Sequence, residues 1–492
     1  MRFSVWHIRL ASGWPYVAIL CSDDAKKLGL HPFDRIKIKH RNKIYNAILD
    51  ISNTRFPVRP GEIGMFDELY KAIGNVEGST VSVMPSKKPE SIHYIKKKMD
   101  GFSLNKEELF EIVKDITNRK ISNIETTYFV SASYINGLTW NETVWLTEAM
   151  IETGRRLKFK GKTVVDKHCI GGVPGNRTTM LVVPIIASCG LLIPKTSSRS
   201  ITSPAGTADT MEVLADVNLG YEGMKDITNE VGGCIAWGGE VDLAPADDQI
   251  IKIEHPLSID AEGQLLASVI AKKASVTAKH LLIDIPYGPC SKCKTHNSGK
   301  KLGEKFLKLG RHFGMDTHIT ITDGSEPIGN GIGPALEAID VMKVLECTKD
   351  APYDLMAKAV YLAGKILEMA GKGGFKEAKD AIISGRALAK MNEIIDAQGR
   401  KVTHYSHIKL GKHLHPVIAK KKGSVSSINN HSIAEIAKAA GAPLDHGAGI
   451  YLIKHVGDKV VKNDILFTIY AENPMKLTHA VEILRKGNVF SY

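Results

Sequence analysis

The chain is poor in cysteine, with 7 residues scattered over 492 positions. An odd number at irregular spacing excludes a disulfide-stapled fold and points to a reduced, cytoplasmic protein. Cys290 and Cys293 form a lone C-x2-C, "CSKC", with no second Cys/His pair at zinc-finger spacing, so no metal is expected there. Long apolar runs are missing at the start of the chain. "MRFSVWHIRLASGWPYVAILCSDD" is broken at Gly13, Trp14 and Pro15 and ends in charge, which excludes a signal peptide or a membrane span and reads as strands. Low-complexity blocks are absent, and 43% hydrophobic with 24% charged residues is the balance of a chain that folds throughout. Negative charge is in deficit. The net charge of +12 favours anionic partners. The basic residues are dispersed, and their clearest cluster, "AKKKG" at Ala419 to Gly423, reads as a solvated turn. That pattern argues against nucleic-acid binding through the cluster, and charge alone does not choose among nucleic acid, an acidic membrane surface and small phosphorylated substrates.

A chain of 492 residues exceeds one hydrophobic core, so several domains are expected. The fold class predicted is a multidomain α/β protein. Residues 1–86 alternate in short segments such as "DRIKIKHRNKIYNAILDI" and predict a small β-rich domain, with the shape of a barrel. Residues 95–160, joined by part of 245–280, predict an all-α lobe. There Leu109, Ile112, Val113 and Ile116 fall on one helix face, and the pairs Asn105/Glu108 and Thr139/Glu142 have capping-box spacing. Residues 161–410 alternate strand and helix and predict a central α/β domain with a parallel sheet, whose strand tips of interest are Asp166 and Thr196. Residues 411–492 predict a C-terminal α+β domain, with short strands forming a compact sandwich of the biotinyl/lipoyl kind.

Two loops carry the chemistry. "VVDKHCIGGVPGNRTTM" leaves a strand, passes Lys167, His168, Gly171, Gly172 and Gly175, and enters a helix. Glycines let backbone N–H groups approach an anion, and the helix start behind them adds partial positive charge. No Gly-Lys-Ser/Thr closes the loop, which excludes a Walker site. "KTSSRSITSPAGTADTMEVL", from Lys195 to Leu214, repeats the design with many hydroxyls and Arg199, a residue able to fork onto a phosphate. Two such loops imply two anionic groups. "PIGNGIGPALEA", Pro327 to Ala338, has glycines spaced G-x-G-x-G without a downstream ribose-binding acid, and reads as a tight turn near the site.

Four stretches in order, "DKHCIGGVPGN", "KTSSRSITSPAGTADTMEVL", "LLASVIAKKAS" and "TDGSEPIGNGIGPALEA", resemble the thymidine/pyrimidine-nucleoside phosphorylase family, and within it an archaeal branch that carries a β-rich N-terminal extension and acts on nucleoside 5′-monophosphates. The resemblance runs from about residue 100 to the end. It implies phosphorolysis of AMP, and of CMP and UMP, by inorganic phosphate to free base and ribose 1,5-bisphosphate, with no cofactor and no metal. It implies attacking-phosphate contacts from Lys167, Cys169, Thr179, Ser197 and Thr207. Cys169 stands where the family commonly has serine, and a thiol is the weaker donor.

Nucleotide contacts implied by the branch are Gly172, Ser198, Arg199, Ser200, Ile201, Thr202, Ser203, Thr207, Ser268 and Lys292. Asp260 in "HPLSID" would protonate the leaving base, which requires a raised carboxyl pKa. His168 and Lys272 take secondary roles. "IKIEHPL" lacks the arginine with which nucleoside enzymes grip a pyrimidine, leaving room for a purine. The family implies a homodimer or larger homo-oligomer. Anthranilate phosphoribosyltransferase, a neighbour in fold, would need a "GTGGD"-type loop where this chain has "IGGVPGN". The remaining alternatives are a phosphorylase of unphosphorylated nucleosides and a basic nucleic-acid-binding protein.

Overall fold

The computed structural model describes residues 1–12, 16–54, 56–159, 161–200, 203–254, 256, 259 and 261–492. The Gly13-Trp14-Pro15 interruption lies outside them. The chain forms two compact units, Met1–Thr153 with Pro245–Ala267, and Gly154–Ala244 with Ser268–Tyr492. Among the described residues no helix is long and apolar enough to cross a membrane.

The first unit begins with a closed six-stranded barrel in the order Arg2–Ile8, Glu62–Phe66, Val17–Cys21, Lys43–Ser52, Arg35–His40 and Thr80–Pro85. The alternation of "RIKIKH" decides its own facing: Ile36 and Ile38 are fully buried while the lysine at 37 is exposed. Closure pairs Arg2–Ile8 with Glu62–Phe66 on one side and Thr80–Pro85 on the other, which leaves no edge for a foreign strand. Helices Ser91–Met99, Lys106–Thr117, Asn123–Asn136 and Trp140–Thr153 follow, and Pro245–Glu254 returns to pack on them. Asn105 caps Lys106–Thr117 by accepting from Glu108 N–H while the Glu108 carboxylate accepts from Asn105 N–H. Thr139 and Glu142 exchange the same pair of bonds. Arg35 of the barrel forms an ion pair with Glu125 of the helices.

The second unit is built on a parallel sheet. Asp316–Asp323, His280–Tyr287 and Val165–Cys169 lie side by side, and an isolated bridge, Val164 to Leu192, joins them to the parallel pair Ile193–Ser197 and Gly233–Trp237. Chain order reverses between Val165–Cys169 and His280–Tyr287, and ligands of open α/β sheets bind at such a reversal, beyond the carboxyl ends of the strands. Helix Thr178–Ser188 is apolar on all sides, and all of Thr178–Ala187 is buried, where it packs on Tyr353–Met369 and Arg386–Ala397.

Three local expectations are corrected. The first strand does not end at Asp166 but runs on to Cys169, because Lys167, His168 and Cys169 still pair with Leu282, Ile283 and Asp284; the second runs one residue past Thr196, to Ser197. The glycine stretch read as a tight turn supplies instead a strand, Gly331–Ile332, followed by helix Pro334–Leu345. That strand pairs with Gly449–Leu452, which pairs with Ile465–Ala471 and through it with His413–Ile418. The C-terminal part is therefore not a plain sandwich: one four-stranded sheet is accompanied by two short ribbons and by the packed helices Asn430–Ala439 and Pro474–Lys486.

Candidate active site

Lys167 sits within a strand and is only 1% exposed. A buried ammonium needs acceptors, and the start of the following helix provides them: Lys167 Nζ donates to Thr178 Oγ1 at 3.0 Å and Thr179 Oγ1 at 3.4 Å. Thr178 in turn donates to Asn176 Oδ1 at 2.9 Å, and Asn176 Nδ2 approaches Cys169 Sγ at 3.5 Å. Burial lowers the Lys167 pKa, against the opposing pull of Cys169 and Asp284. The Cys169 thiol is pushed up to about 11 by burial and by Asp284, so near neutrality it carries its proton.

The glycines of this loop are fixed by contact as well as by conformation. Gly172 has φ +95°, and a Cβ there would lie 3.2 Å from the backbone N of Lys292. At Gly175, with φ +72°, a side chain would collide with the carbonyl of Ile328, whose N–H donates to Pro174 O at 3.1 Å. The first loop thus packs on two others, both following strands of the same sheet. One is the "CSKC" turn, closed by Gly288 N–H donating to Cys293 O at 3.0 Å, so its cysteines belong to a backbone turn. None of the seven cysteines is in a disulfide, and among the described residues no cluster of His, Cys, Asp and Glu could hold a metal.

The second loop is folded around Asp209, which sequence reasoning missed. Its Oδ2 accepts the N–H groups of Ser200 at 2.6 Å and Gly206 at 2.8 Å. Ser200 Oγ donates to Ser203 O, and Ser203 Oγ to Ala205 O at 2.7 Å, so both hydroxyl protons are engaged within the loop. Ser197 closes its strand half-buried and Ser198 is exposed. Arg199 was expected to offer its fork to a phosphate. In the structure it grips Glu212 through Nη1 and Nη2 at 2.6 and 2.8 Å, and its guanidinium lies 4.9 Å from the Trp237 ring centroid. Glu212 raises the Arg199 pKa, and Arg199 lowers that of Glu212. Ile201 and Thr202 lie outside the described residues.

The two loops meet at Arg177. Its Nη1 donates to Thr207 Oγ1 at 3.0 Å and its Nη2 to Ala205 O at 2.7 Å, while Nε forms an ion pair with Glu337. Both members of that pair are buried. Sequence reasoning passed over Arg177 and Glu337. The signals were an arginine directly ahead of a helix start, in "GNRTTM", and an acid in the first turn of "PALEA", but neither spacing says that the two meet.

Beneath the loops lies a cationic interior. Asp166 Oδ2 is 2.7 Å from Lys273 Nζ, and Asp166 Oδ1 is 3.6 Å from Lys195 Nζ. Burial lowers Lys195 to about 7 despite Asp166. Burial also holds His168 well below its ordinary value, with Lys273 and Lys195 adding to the effect, so the imidazole is neutral at pH 7. Ser268 and Lys272 are half-buried on helix Glu262–Ser275, and Lys292 is exposed in the "CSKC" turn. Asp260 lies outside the described residues.

Residues 92–154 match the helical bundle domain and 161–281 the a/b domain of a glycosyl transferase family, and 424–491 match the pyrimidine nucleoside phosphorylase C-terminal domain. The chain is 45% identical to AMP phosphorylase 1 of Archaeoglobus fulgidus over 98% of this chain and 96% of that one. The chain belongs to the AMP phosphorylase family. AMP phosphorylases of Methanococcoides burtonii and Thermococcus kodakarensis are each 45% identical, over 96% of this chain and 94% of theirs. Outside the AMP phosphorylases, anthranilate phosphoribosyltransferase from Thermus thermophilus shares the fold, with a TM-score of 0.52 at 17% identity, covering 62% of this chain and 99% of that one.

Proposed function

We propose that the protein cleaves the C1′–N bond of AMP with inorganic phosphate, releasing adenine and ribose 1,5-bisphosphate, and that CMP and UMP are further substrates. The observation that carries this reading is the Arg177 tie, which holds two hydroxyl- and glycine-lined loops side by side at the reversal of the sheet. Relatives named AMP phosphorylase, matched along nearly the whole chain, support the same conclusion. Two anion-binding loops suit a substrate pair in which both the attacking group and the 5′ end of the ribose are phosphates.

In this reading Lys167, Cys169, Thr179, Ser197 and Thr207 hold the attacking phosphate. Gly172, Ser198 to Ser203, Thr207, Ser268 and Lys292 hold the nucleotide, with His168 and Lys272 in supporting roles. As the glycosidic bond breaks, positive charge grows on the ribose and the phosphate anion stabilises it. The departing base gains electrons, and Asp260 gives it a proton. The neutral His168 adds no further positive charge to this pocket. Residues 161–410 form the phosphate- and nucleotide-binding domain, 95–160 with part of 245–280 an all-α lobe, 411–492 a C-terminal α+β cap, and 1–86 a β-rich domain that serves the assembly of a homodimer or larger oligomer.

The test is incubation with AMP, with and without phosphate, followed by chromatography for free adenine. Adenine released only in the presence of phosphate is the expected result. Absence of base release from AMP, CMP and UMP alike removes the proposal, and release from adenosine or thymidine in preference to AMP replaces it with a nucleoside activity.

A further inference from the structure

We infer that Arg177 is a positioning residue for phosphorolysis, aiming the Thr207 hydroxyl proton at the attacking phosphate. The inference rests on the reading of Thr207 as a phosphate contact and extends it to a residue that no motif assigns. A threonine hydroxyl has one proton to give. Because Arg177 Nη1 donates into Thr207 Oγ1 at 3.0 Å, the Thr207 proton must point elsewhere, and among the described residues it has no acceptor. Lys167 does the same in the first loop. Its Nζ feeds both Thr178 Oγ1 and Thr179 Oγ1; the Thr178 proton is spent on Asn176, while that of Thr179 has no acceptor among the described residues.

Each loop therefore presents one hydroxyl backed by a buried cation. A hydroxyl that accepts from a cation is a stronger donor through the polarised bond behind it, and more so in a dry site. The protein partners of Arg177 make it a brace between the loops. Ala205 O takes Nη2 and Glu337 takes Nε, and Glu337 is itself held by Thr210 Oγ1 and Gly333 N–H, each at 3.1 Å. Arginine suits the position because its planar fork spans acceptors from different elements at fixed spacing and keeps its charge when buried.

The test uses full-length Arg177→Lys, Arg177→Met, Thr207→Val and the double variant Arg177→Met/Thr207→Val, with initial rates of adenine release against phosphate and against AMP. Arg177→Met is expected to raise the KM for phosphate roughly 10-fold or more and the KM for AMP by less than about threefold. Thr207→Val is expected to produce a similar phosphate defect, and the double variant to be no worse than the poorer single, as required if Arg177 acts through Thr207. Arg177→Lys, which keeps charge but not the fork, should fall between wild type and Arg177→Met. The inference is overturned if the two effects multiply, if both KM values rise equally, or if Arg177→Lys leaves the phosphate KM unchanged. Should Arg177→Met fail to fold, Arg177→Lys and the cycle Arg177→Lys/Thr207→Val decide by the same criteria. A wild-type protein without phosphate-dependent adenine release refutes the proposed function instead, so the two failures are told apart.

Discussion

Glu212→Gln is the most informative single change, because the expected gain in nucleotide affinity runs against the usual loss on mutation. Arg199 and Glu212 form a two-bonded fork at 2.6 and 2.8 Å, with side-chain exposures of 33% and 17%. If Arg199 contacts the nucleotide, bound AMP must draw the guanidinium away from Glu212 or share it. A charge-assisted fork of this kind, discounted for solvent screening at the exposed arginine, is worth about 1 kcal/mol. Glutamine keeps one acceptor and removes the charge, so the competition weakens and the KM for AMP should fall roughly fivefold. Trp237 still supports the guanidinium, and Asp209 still lies 3.3 Å from Nη1, so the loop keeps its other anchors. The assay is the initial rate of adenine release against AMP at saturating phosphate, at low and high salt; the difference between variant and wild type should shrink as salt screens the pair. A KM for AMP that is unchanged or raised in Glu212→Gln refutes the argument and makes the Arg199–Glu212 pair a loop brace.

Three further outcomes are expected. Asp260→Asn should lose most turnover while AMP binding, followed by calorimetry, survives; turnover near wild type would end its assignment as the proton donor. Cys169→Ser should lower the KM for phosphate roughly three- to tenfold, since a hydroxyl donates more strongly than a thiol, and a rise would place Cys169 off the phosphate. Asp340 accepts the N–H groups of Asn330 and Gly331 at 2.7 and 2.6 Å, and burial pushes its carboxyl up to about 7. The folded state therefore holds a proton that the unfolded chain loses near the ordinary carboxylate value of 3.8, and stability contributed by this group falls as pH rises from about 4 through about 7. Asp340→Asn keeps an acceptor and cannot ionise, so denaturant unfolding at pH 5 and pH 8 should show a smaller pH penalty than wild type; an identical slope would contradict the assignment.

What the sequence determined by itself is local and periodic. The alternation in "RIKIKH" settles which side chains fill the barrel, since side chains two apart share a face. The Asn105/Glu108 spacing announces a helix start, since it brings two orphan N–H groups to two side-chain acceptors. Glycine and hydroxyl density at strand-to-helix junctions singled out both loops, because backbone approach to a phosphate calls for that composition. Tertiary structure alone decided how those loops are held and which of their side chains remain available. Lys167 is buried inside a strand because the next helix returns two hydroxyls to it. Arg199 is already engaged because Glu212 lies one helix away in space. The two loops are joined because helix Pro334–Leu345 brings Glu337 against Arg177 and against Thr210, the latter 127 positions distant in the chain. Buried charges must find partners, and the partner that satisfies each one is chosen by packing between distant segments, which no spacing within a motif records.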